Sequence, residues 1–187
     1  ARSGGSSSTT CNQCPSREII VMSEYQTVFA SLKDYTKGSL EIVNDNPKHY
    51  VFSNVFDVAN KSKPYEKVAV AVNVEYVIEA IRAEGVSTWF AAAHDEVVVV
   101  MDGEVRIDFI KLDAPNSVVA PGKEGAVAVK GTPAGKNMGY VICKRGHQAL
   151  LPVGSAYRFT ALKTGAMIMQ TIKGDLTVEK WGEICYQ

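Results

Sequence analysis

The sequence predicts an all-β fold, a sandwich or barrel of short strands, with one short helix near its start. Three observations carry this. Short β-branched and aromatic runs recur along the chain, Gly/Pro punctuation separates them, and sustained helical periodicity appears only once. The length suits one domain with a real core. The 20 basic and 20 acidic residues cancel, so net charge argues for neither nucleic acid nor an anionic membrane surface. No apolar run is long enough to span a bilayer, and no internal repeat is visible.

Residues 1–21 are Gly/Ser/Thr-rich and lack the apolar centre of a signal peptide. They read as a flexible tail or leader, with Met22 as a natural start, and residues 22–187 are expected to form a single domain. The tail holds Cys11 and Cys14, spaced like half a zinc site, but Cys143 and Cys185 do not form a second pair at matched spacing. The pair is read as accidental, and Cys143, in the apolar YVICKR, as an inert core thiol. Nothing demands an oxidising compartment, so the expected location is the cytoplasm.

The elements follow in order. Ser23 and Gln26 fit a capping box, and Tyr25, Val28, Phe29, Leu32 and Tyr35 recur at helical spacing until Gly38. Such a helix covers a sheet face or reaches a neighbouring subunit. Asn44–Pro47 is a turn cluster, residues 49–58 are a β-branched and aromatic mixture, and residues 61–67 form a loop around Pro64. Residues 68–74 read as a strand. Residues 76–82 have partly helical spacing, but the short span and Gly85 favour a strand. Asp102-Gly103, between Val97–Met101 and the alternating Val105, Ile107 and Phe109, predicts a type I′ hairpin. The incoming strand is apolar on both faces, so both should be covered. Residues 113–139, rich in Gly, Pro, Ala and Lys, predict a long loop with a short strand at 125–130. Further strands are expected at 139–144, 148–151, 166–173 and 175–186.

Two stretches carry a family signature. Gly146, Pro152 and Gly154 match every spacing of the second cupin motif, G-x5-P-x-G-x2-H-x3-N, but its histidine position holds Tyr157 and its asparagine position Ala161. Gly85, Glu96 and Gly103 match the ends of the first, G-x5-H-x-H-x(3,4)-E-x6-G, whose middle is one residue short. Counting forward from Gly85 puts the histidine positions at Ala91 and Ala93; counting back from Glu96 gives Phe90 and Ala92, or Trp89 and Ala91. No choice gives a histidine. The chain therefore resembles the cupins, which implies a jelly-roll barrel, or double-stranded β-helix. The degenerate ligand positions are Ala91, Ala93, Glu96 and Tyr157, and no metal is expected here, because a divalent ion needs three or four N, O or S donors in one small volume. His94 shares strand parity with Glu96. It either completes an unusual metal set with Tyr157, His49 or His147, or is an ordinary hydrogen-bonded histidine.

Residues 75–112 and 139–159 also resemble the small subunit of two-component hydroquinone 1,2-dioxygenases. That resemblance implies a metal-free cupin with no catalytic residue of its own, in an α2β2 heterotetramer. The partner large subunit would hold Fe(II) with two histidines and a carboxylate, and would cleave an aromatic diol with O2 to 4-hydroxymuconic semialdehyde. Trp89, Phe90 and His94 are the candidates for a subunit contact or the substrate pocket, with Trp181 a weaker one, because aromatic residues are enriched at interfaces; core packing is the alternative for the two rings at 89 and 90. Two other functions stay open: a stand-alone cupin metalloenzyme using His94 and Glu96, and a non-catalytic cupin binding a small ligand.

Overall fold

A computed structural model describes residues 54–73 and 75–180. The expected tail, the helix at 25–38, His49, Trp181 and Cys185 lie outside these residues.

Asn54 opens α1 (Val55–Lys61); its side-chain oxygen accepts from the N–H groups of Phe56 at 3.0 Å and Asp57 at 3.4 Å. The cap satisfies donors that the first helical turn leaves free, so the aromatic mixture ends in a helix. Val58 of α1 packs on Val68, Val70 and Ala80. Tyr65 then turns the chain with φ 58°, stacks on Phe159 at 6.1 Å, and donates its hydroxyl to the Gly85 carbonyl at 2.7 Å.

Among the described residues ten strands follow: β1 (Lys67–Asn73), β2 (Tyr76–Val86), β3 (Trp89–Ala92), β4 (Glu96–Asp102), β5 (Glu104–Leu112), β6 (Ala126–Val129), β7 (Gly135–Lys144), β8 (Gln148–Leu151), β9 (Ser155–Ile172) and β10 (Thr177–Val178). The ambiguous stretch at 76–82 is strand, because β1 and β9 pair with it on both edges. The fold is organised by β9. Along one edge it pairs with β2 and then β3; along the other, with β4 and then β5. Its second half belongs to the layer β10-β1-β2-β9-β4-β8, and its first half to β6-β3-β9-β5-β7. The two layers form the expected cupin jelly roll.

The Asp102-Gly103 hairpin does not form. Among the described residues β4 and β5 have no ladder with each other; both pair with β9, in different layers. Only Gly103 has positive φ (81°), where a type I′ turn needs two such residues. The glycine serves a corner. A Cβ on Gly165 would lie 2.5 Å from the Asp102 carbonyl oxygen, so the crossing strands approach closely only because glycine stands there.

The long loop at 113–139 is also shorter than expected. The short strand expected at 125–130 is β6; a helical turn, α2 (Pro115–Val118), also interrupts the loop, and β7 starts at Gly135 because Leu112 to Phe109 of β5 pair with Gly135 to Gly139. β9 starts at Ser155, eleven residues before the expected 166, since β5 and β3 supply partners that local composition does not reveal.

The main core lies between the layers: Ile81, Phe90, Val98, Val100, Ile107, Phe109, Tyr157, Phe159, Met167 and Met169. A smaller cluster (Trp89, Ala91, Ile110, Leu112, Val119 and Ala156) covers the opposite face of β3. Among the described residues no helix is long and apolar enough to cross a membrane.

Candidate functional site

Glu96 begins β4 on the same face as Val98 and Val100, so alternation carries its carboxylate into the barrel, fully buried. The Pro152 carbonyl accepts from the Ser155 N–H at 3.2 Å and its hydroxyl at 2.6 Å, and this turn starts β9 so that Tyr157 points inward, 1% exposed. The Tyr157 hydroxyl donates to Glu96 Oε2. From the far end of β9, the Thr171 hydroxyl donates to Glu96 Oε1 at 2.6 Å.

His94 joins from the turn before β4. Its Nε2 lies 2.9 Å from Thr171 Oγ1 and 3.3 Å from the Ile172 amide nitrogen. With the Thr171 proton on Glu96, that nitrogen donates to Thr171 in one tautomer or accepts from Ile172 in the other. His94 and Glu96 therefore meet through a hydroxyl, and the chain ties its two layers together at this point. Burial above all, then the Glu96 carboxylate, pushes the Tyr157 phenol well above its ordinary value, so it remains a donor.

A second polar group, unread in the sequence, is buried in the same layer as Glu96. Lys67 and Glu79 are 3% and 1% exposed, 3.7 Å apart. Thr177 donates to Glu79 Oε1 at 2.7 Å, while Glu79 Oε2 has no hydrogen-bond partner. The Lys67 ammonium sits 5.0 Å from the centre of the Phe90 ring. Burial raises the Glu79 carboxyl, with Lys67 opposing and Glu96 reinforcing. One signal for Glu79 was present: it shares parity with the buried Val77 and Ile81.

The register corrects the degenerate ligand positions. Phe90, not Ala91, stands opposite Tyr157, so Phe90 and Ala92 share the interior face. Ala91 lies in the smaller cluster and Ala93 packs against it, because one missing residue in the motif shifts strand parity. These donors do not fit a divalent metal. The histidine positions carry a ring and a methyl, the Glu96 oxygens take hydroxyl protons, and among the described residues no three His, Cys, Asp or Glu side chains converge. His147 is not part of the site: it is exposed, and its Nδ1 accepts from the Lys144 N–H at 3.1 Å in the β7–β8 turn.

The two rings at 89 and 90 lie in cores of this chain, 7% and 6% exposed. Phe90 packs on Tyr157 and Phe159, while Trp89 lies on the other face beneath the Arg158 guanidinium, 4.7 Å from its ring centre. Cys143 is buried, and burial pushes its thiol up, away from the reactive thiolate.

No protein-family model and no curated protein matches this chain. Solved structures do. The chain is similar to a chain of hydroquinone 1,2-dioxygenase from Sphingomonas sp. TTNP3 with 4-hydroxybenzoate bound: 54% identity, 85% of this chain and 96% of that one, TM-score 0.71. It is similar at 57% identity to a chain of hydroquinone 1,2-dioxygenase PnpCD in complex with Cd2+ and 4-hydroxybenzonitrile, covering 87% and 97%, TM-score 0.70. A chain of PnpCD in complex with Fe3+ shares the fold alone, at 11% identity and TM-score 0.51, over 84% of this chain and 40% of that one.

Proposed function

We infer the function from one premise: the chain belongs to the hydroquinone 1,2-dioxygenase family. It is a subunit of a ring-cleaving dioxygenase, and we propose that it is the metal-free small subunit. In this reading a larger chain holds Fe(II) and cleaves an aromatic diol with O2 to 4-hydroxymuconic semialdehyde, in an α2β2 assembly in the cytoplasm.

One observation carries the proposal. The chain covers nearly the whole of two dioxygenase chains at 54% and 57% identity, while Tyr157 and Thr171 occupy Glu96 where a cupin metal would sit. The chain then contributes a stable barrel and a surface, and the larger chain contributes the chemistry. A lone metalloenzyme built on His94 and Glu96 needs a third ligand; Tyr157 reaches Glu96 as a protonated donor whose burial holds the phenol up, and among the described residues no third His, Cys, Asp or Glu side chain converges on them.

Reconstitution tests this. The chain purified alone is expected to carry little iron and to leave hydroquinone intact. Mixing it with the larger chain is expected to restore O2 consumption, with iron following the larger chain. Turnover by the isolated chain with one tightly bound iron would end the proposal.

A further inference from the structure

Among the described residues eleven large apolar side chains stand well exposed, and six of them fall between 138 and 153: Met138, Tyr140, Val141, Ile142, Leu150 and Val153. That concentration marks a surface, since scattered exposed apolar residues need no explanation and clustered ones do. The cluster lies where the two layers end. Among the described residues β7 pairs only with β5, and β8 only with β4, so each leaves one edge free. Between these edges a groove of about 330 Å3 reaches the core, with Phe109, Cys143 and Ala149 on its floor and Met138, Val141 and Leu150 on its rim.

A free edge ten residues long is ordinarily blunted by proline, a bulge or charges along it; β7 has no proline, and its one irregularity, the unpaired Met138 between Asn137 and Gly139, leaves Gly139 to Lys144 in regular pairing with β5. On β7 the charges stand only at the ends, Lys136 and Lys144, with no charge from Asn137 to Cys143. From Gly135 to Gln148 there are three cations, Lys136, Lys144 and Arg145, and no acid; Lys144 meets Glu104 of β5 at 3.6 Å, an exposed pair, so the excess positive charge rests on Lys136 and Arg145. A second copy is a poor occupant: antiparallel pairing centred on Tyr140 would set Lys136 of each copy against Lys144 of the other. An apolar surface with acidic ends fits.

We propose that the β7–β8 edge is the docking surface for the larger dioxygenase chain, which lays an exposed strand edge flanked by acidic side chains along β7 and an apolar side chain into the groove. This rests on the two-subunit reading above. Edge addition supplies main-chain hydrogen bonds, and the groove supplies register.

The test uses the two chains expressed together. Val141→Asp with Leu150→Asp puts charge on two exposed rim positions and is expected to weaken assembly by about 100-fold. Leu162→Asp, at a site 96% exposed on another strand, is expected to change nothing. Hydrogen exchange on the wild-type complex provides a measurement free of folding defects: the free-edge amides of β7 become protected on assembly. Unchanged affinity of the double variant, or β7 amides that exchange equally fast in the free and assembled chain, overturns the docking surface and leaves the two-subunit reading intact. Failure of the wild-type chain to bind the larger chain overturns both.

Discussion

Replacing Tyr157 with phenylalanine keeps the ring against Phe90 at 5.9 Å and Phe159 at 5.4 Å and deletes only the donor to Glu96. A buried carboxylate oxygen then lacks its partner, at a cost of about 1–3 kcal/mol, read as a lower urea midpoint. Phe90→His, Ala92→His and Tyr157→His together would set three imidazoles beside Glu96. This variant is expected to retain zinc through gel filtration, whereas Ala91→His with Ala93→His is not; the reverse result would refute the strand register. Glu79 gives a pH signature. Its carboxyl is raised above the ordinary 4.5, so the folded protein holds that proton more tightly than the unfolded chain. The resulting stability is fully present below the unfolded value and is lost as pH rises through the folded one. Glu79→Gln removes that component, so its stability should fall less steeply with pH than the wild type's above about pH 4.5, whatever offset comes from leaving Lys67 unpaired. Glu96 and Tyr157 were legible because motif spacing marked them. Thr171 and Lys67 were not, because they arrive from other strands through pairing, and Glu79 showed only its parity with Val77 and Ile81.

At the scale of elements, most strands were legible from β-branched runs between turn residues, and the errors share one cause. Asp102-Gly103 looks like a hairpin turn locally, and Gly135–Gly139 and 155–165 look like loop or mixed sequence. Each is settled by a partner distant in sequence: β9 takes β4 and β5 into different layers, and β5 draws in the start of β7. The Asn54 cap is the opposite case, a local hydrogen bond that sets a helix inside strand-like composition. The corner yields its own prediction. Gly165→Ala sets a methyl carbon 2.5 Å from the Asp102 carbonyl, so the crossing must widen. The expected loss is about 1–3 kcal/mol, as for other overpacked sites, and calorimetry should show a lower melting temperature. An unchanged melting temperature would mean that the corner yields freely.

For the whole molecule, the jelly roll was legible because the backbone-shaping glycines and proline are present without the histidines, and the dioxygenase subunit family was legible only through the resemblance of residues 75–112 and 139–159. The surface was not legible. The exposure of Tyr140 and Ile142 depends on β7 being an edge, which no local pattern announces. The barrel's outer strands also depend on a strand near the end of the described chain. β9 pairs directly with β2, β3, β4 and β5, and the other strands attach through these. A chain ending before Ser155 is expected to give no cooperative melting transition. During synthesis β1 to β8 emerge from the ribosome before the strand that closes both layers, so their apolar runs wait unprotected for its arrival. That interval is when a nascent chain is most open to aggregation or chaperone capture, and it predicts that slowing translation across residues 155–172 lowers the soluble yield.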